Sequence, residues 1–143
     1  MMLEVTHELR LFSPLHCAIM LATVALPLAL GRLVRAGRAA ALAVAGGLAA
    51  LLLLNKLATL WYSWATDRLW IGNALPMHLC DWATFVVAGA LLTRWRPLCD
   101  LSYFWGLGAT VHAVVTPEVG GAVPVFYLIT FFVSHCGIII GVG

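Results

Sequence analysis

Long apolar stretches, each about the length needed to cross a bilayer, follow one another with only short polar joints between them. Nothing else in the chain constrains its fold as strongly. The stretches cover residues 14–34, 39–64, 75–93, 97–115 and 122–143. Composition agrees. The 143 residues are 63% hydrophobic and 10% charged, with a mean hydropathy of +1.01, whereas a soluble domain carries about 25% charged residues. The expected fold is therefore all-α: a polytopic membrane helix bundle of about five transmembrane helices, forming a single domain with no room for a soluble one.

The polar lead, Met1 to Arg10, does not read as a cleaved signal peptide. The apolar run after it is too long, lacks a small-residue cleavage site and is followed by further spans. Ser13-Pro14 has the form of a helix start, with serine as N-cap and proline at the first helical position. Pro27 should kink the first span. In the second span Gly46-Gly47 would permit close helix contact. Trp61, Tyr62 and Trp64 near its end read as an interfacial aromatic belt. Asp100 sits in the first turn of the fourth span, facing the helix dipole. The last span is still apolar at Gly143, which suggests a truncated product or a terminus inside the interface, and leaves room for a homo-oligomer.

Arginines set the orientation. Arg32, Arg35 and Arg38 in the first joint and Arg94 and Arg96 in the third fall on one side, against Arg10 and Arg68 on the other. The positive-inside rule then places the N-terminus outside and the protein in the cell membrane as a multi-pass chain. The arginines form no basic stripe, so nucleic acid is not an expected partner; membrane lipids are. Cys17, Cys80, Cys99 and Cys136 have neither zinc-finger nor C-x-x-C spacing, and no metal or other cofactor is expected.

With alternating spans, His16, Lys56, His78, Cys80, Asp81 and His112 all come to within roughly 5 to 15 Å of the outer surface, at about 1.5 Å per residue. Asn55 and Thr59 share that layer, and His135 lies deeper. Intramembrane ionisable groups are costly and mark function, so a single outward-facing polar pocket is expected between the helices. On one helix His78 and Asp81 can form a hydrogen-bonded pair, whereas His78 and Cys80 point about 200° apart. A nucleophilic Cys80 would need a base from another span, unless Pro76 leaves this turn non-helical, and His112 and His135 are the available imidazoles. Lys56, pointing inward, could supply the positive charge that favours a thiolate. The greater depth of His135 counts against its pairing with Cys80 unless the fifth span begins above the membrane surface.

Several strings, in order along most of the chain, resemble the YwaF-type bacterial integral membrane family. They are Leu11-Phe12-Ser13-Pro14-Leu15-His16, Leu75-Pro76-Met77-His78-Leu79-Cys80, Tyr103-Phe104-Trp105-Gly106, Thr116-Pro117-Glu118 and Phe131-Phe132-Val133-Ser134-His135. That family is similar to an animal transmembrane protein described as a cysteine-dependent acyltransferase that remodels ether phospholipids. There a cysteine on a middle span works with a histidine two spans later. The resemblance implies Cys80 as acyl carrier and His135 as base. The chain departs from the family in lacking one or two further spans, and in reading Asn55-Lys56 where relatives tend to carry an acidic residue. Four functions stay open: acyl transfer or acyl hydrolysis on phospholipids, a transporter or small-molecule- or ion-binding protein, a metal or haem site, and packing alone.

Overall fold

The computed structural model describes residues 6–7, 10–67, 78–117 and 123–143. Among the described residues five helices carry the fold: α1 (Pro14–Val34), α2 (Arg38–Ala65), α3 (Leu79–Thr93), α4 (Arg96–Val115) and α5 (Val125–Val142). A two-residue antiparallel pairing joins β1 (Thr6–His7) to β2 (Val123–Pro124). Four of the helices are long and apolar enough to cross a membrane, and α3 is a shorter apolar helix of 15 residues.

Local chemistry sets the ends. Ser13 accepts the His16 backbone N–H at 3.3 Å and Pro14 opens α1, which continues across Pro27. Between α1 and α2, Gly37 takes φ 152°, a backbone region side chains disfavour, and this lets the chain reverse within three residues. Arg94 closes α3 in the left-handed conformation, its N–H bonding the Ala90 carbonyl.

Contacts fix the relative directions. Asn55 and Ser63 of α2 meet Thr130 and Tyr127 of α5, an antiparallel match. Thr23 and Pro27 of α1 meet Cys136 of α5 and the adjoining Gly143, a parallel match. α5 packs against each of the other four helices, while α1 leans mainly on α2 and α5. The core is Leu52, Ala83, Val87 and Ile138, all fully enclosed, with Leu91, Trp105 and Val142 against them. Close approach of α3 and α5 depends on Gly141: a Cβ there would stand 2.8 Å from a Val87 methyl. The contact expected at Gly46-Gly47 is not made, because a Cβ at either would meet nothing within 4 Å. Leu21, Val24, Leu57 and Phe104 are among the large side chains left outside, as a lipid-facing surface requires.

The third span departs from expectation in a way that matters. Its helix begins at Leu79, not Leu75; residues 75–77 lie outside the described residues. At about 1.5 Å per residue, α3 is about 22 Å long, short of the roughly 30 Å hydrocarbon core. Its first turn meets Lys56, which lies nine residues, about 14 Å, before the end of α2. The start of α3 is therefore recessed within the bundle. His135 lies ten residues, about 15 Å, into α5, and so reaches the same level.

Candidate functional site

The recessed start of α3 gathers the ionisable groups. Lys56 Nζ donates to Asp81 Oδ1 at 2.6 Å, with the two side chains only 14% and 20% exposed. Asp81 is the third residue of α3, where the positive end of the helix dipole favours a carboxylate. The ion pair is thus doubly supported: ammonium on one side, helix end on the other. Burying either charge without its partner would be costly.

Cys80 precedes Asp81 and is half-buried. Both charges of the Lys56–Asp81 pair lie within electrostatic reach of its thiol, and the Asp81 carboxylate also reaches the His135 ring. Cys80, Asp81, Lys56 and His135 thus form one neighbourhood built from α2, α3 and α5. The thiol and the imidazole make no direct hydrogen bond with each other.

His135 is 93% enclosed, being 7% exposed. Its Nδ1 lies 2.7 Å from the Phe131 carbonyl one turn earlier. A carbonyl only accepts, so the proton of the neutral ring sits on Nδ1 and the lone pair on Nε2. The Phe131 ring lies against the imidazole, centroids 4.2 Å apart, and helps hold its plane. Nε2 has no hydrogen-bond partner among the described residues. A base needs such a nitrogen.

The other histidines stand apart. His16 is fully buried and has both nitrogens engaged. Its Nδ1 accepts the Phe12 N–H at 3.0 Å, and its Nε2–H donates to the Val114 carbonyl at 2.8 Å. Val114 lies in the last turn of α4, where carbonyls lack an intrahelical donor. His16 therefore closes a helix end and ties α1 to α4. His78 is the exposed N-cap of α3; its carbonyl accepts the Asp81 N–H at 3.0 Å, but its ring does not bond Asp81. The local His78–Asp81 pair is replaced by Lys56–Asp81, because the carboxylate turns inward to a cation on α2. His112 is exposed and, among the described residues, its ring meets only Thr116, at 3.3 Å. Among the described residues no three His, Cys, Asp or Glu side chains converge as metal ligands.

Some contributors carried no clear sequence signal. The Phe131 carbonyl that sets the His135 tautomer is backbone. The Ser63–Tyr127 hydrogen bond at 2.9 Å and the Tyr62–Phe126 stack at 4.2 Å brace α2 against α5 above the site. Tyr62, near the end of α2, packs its ring against Phe126 and Tyr127 of α5.

Residues 5–142, nearly the whole chain, match the TMEM164 family. The chain belongs to the TMEM164 family. Among curated proteins and solved structures nothing matches it. Membership accords with the apolar helices, and the matched residues include Cys80 and His135.

Proposed function

We propose that this TMEM164-family chain transfers acyl groups on phospholipids, with Cys80 as nucleophile and His135 as base. Within the family we group it with the YwaF-type bacterial members, as a multi-pass protein of the cell membrane. The observation that supports the reading is the recessed start of α3: it sets a thiol about 14 Å in from the end of α2, beside an ion pair and an imidazole whose Nε2 is unengaged among the described residues.

The steps balance as follows. The Cys80 thiol gives its proton to His135 Nε2 and its sulfur attacks the ester carbonyl carbon. The C–O bond breaks, and the departing lysolipid oxygen takes the proton from His135. A thioester on Cys80 remains. A second hydroxyl, or water in hydrolysis, loses its proton to His135, attacks the thioester and restores the thiol. The Leu79 and Cys80 N–H groups at the start of α3 have no acceptor among the described residues and suit the oxyanion of each tetrahedral intermediate. Asp81 faces the imidazolium that forms, and Lys56 holds the Asp81 carboxylate in place at 2.6 Å. The gap between thiol and imidazole closes in the substrate complex, where catalytic hydrogen bonds tighten.

Purified protein in proteoliposomes tests this directly. Wild type moves a labelled acyl chain between phospholipid and lysophospholipid, and Cys80→Ser does not. Equal turnover in both would eliminate the thioester. A second reading, ion or solute binding, draws on the intramembrane Lys56–Asp81 pair. It expects transport or binding to survive Cys80→Ser and fail in Asp81→Asn.

A further inference from the structure

We infer that the end of the bundle away from Cys80 holds an anionic phospholipid, with one acyl chain inside the protein and the headgroup at its arginines. A cavity of about 520 Å³ opens there, lined by all five helices, within the usual range for small-ligand sites. Its walls include Leu30, Val34, Val44, Leu48, Leu91 and Ile140. These aliphatic side chains suit a hydrocarbon chain, and Arg94, Asp100, Ser102 and Tyr103 add polar groups to the lining.

The rim has the opposite character. Arg94 borders the cavity at the end of α3, and Asp100 is the lone carboxylate beside it. Val34 and Ala41 border it too, so the α1–α2 joint lies at the same mouth. That joint brings Arg32, Arg35 and Arg38, and Arg96 follows Arg94; all five arginines are exposed. The positive-inside rule puts this end in the cytoplasmic leaflet, where anionic lipids reside. Arg94 on the lining, four further arginines in the adjoining joints and an aliphatic wall match an amphiphile with an acidic head, and that charge complementarity selects a lipid over a second apolar helix. Leu91 is eleven residues, about 16 Å, along α3 from Cys80. The site is therefore separate from the proposed catalytic one and does not rest on that reading.

The test is photo-cross-linking of the full chain in phosphatidylcholine nanodiscs. The probe is phosphatidylserine with a diazirine midway along one acyl chain, run against the matching phosphatidylcholine probe. Label is expected on residues 27–34, 41–48 and 90–94, with the serine lipid favoured about fivefold. Ala45→Phe, which fills the cavity, should remove this label for both lipids. Arg94→Asn should abolish the preference while leaving the helix end intact, since asparagine tolerates the left-handed cap. If Ala45→Phe does not fold, Arg94→Asn decides alone. Equal labelling by the two lipids overturns the proposal. So does label confined to outward residues such as Leu21 and Phe104, or chain-to-chain cross-linking through the same segments. Displacement by inorganic phosphate would overturn it as well, by showing a free-anion site in its place.

Discussion

His16 and His135 are both nearly inaccessible, and they do opposite things with their rings. At the α1–α4 corner His16 holds its proton on Nε2 and gives it to Val114, while Nδ1 receives the Phe12 N–H. In the α2–α3–α5 neighbourhood His135 holds its proton on Nδ1 and leaves Nε2 unengaged among the described residues. Burial alone does not separate a structural imidazole from a chemical one. The count of engaged nitrogens does, together with the charge nearby: an ion pair beside His135, two backbone groups beside His16.

That contrast can be broken by substitution. The largest expected effect is on turnover. His135→Ala should lower acyl transfer by about a hundredfold to ten-thousandfold, with little change in thermal unfolding. A large fall in Tm with turnover intact would make His135 structural like His16. Next comes the ion pair. Asp81→Asn strands the Lys56 ammonium and should destabilise the fold by about 3–5 kcal/mol. The double variant Lys56→Met/Asp81→Leu should regain most of that stability, as measured by unfolding in detergent. No recovery would show that the charges matter for more than each other.

His16→Ala should destabilise by about 1–3 kcal/mol. It orphans the Val114 carbonyl, whereas Phe12, 59% exposed, can hydrate its N–H. Turnover per folded molecule should not change, and a specific loss would extend the site to α1. His112→Ala should stay within about 0.5 kcal/mol and leave turnover alone, because among the described residues its ring meets only Thr116.

The helices were legible because apolar runs of this length have few alternatives. Ser13-Pro14 announced the start of α1, and the structure places it there. The recessed start of α3 was not legible. Apolar residues such as Leu75 and Met77 read as span, and no single-helix rule says how far the neighbours extend beyond. Depth counted from each run's own start puts His135 below Cys80; counted from the helix ends, Lys56, which holds Asp81, lies about 14 Å from the end of α2 and His135 about 15 Å into α5. The His78–Asp81 pair failed for a related reason. Spacing of three permits it, but a lysine on α2 forms a stronger bond, and only packing reveals that lysine's position. The gathering of polar groups from several helices was visible; which histidine would close a helix end was not, since Val114 is 98 residues from His16.

The most direct measurement is the mass of the intact protein after brief incubation with phospholipid, before any acceptor is added. One acyl group per chain is expected, released by neutral hydroxylamine and mapped to Cys80. It should be absent from Cys80→Ser and retained when Cys17, Cys99 and Cys136 are all serine. No adduct, or one that survives Cys80→Ser, would contradict the thioester mechanism.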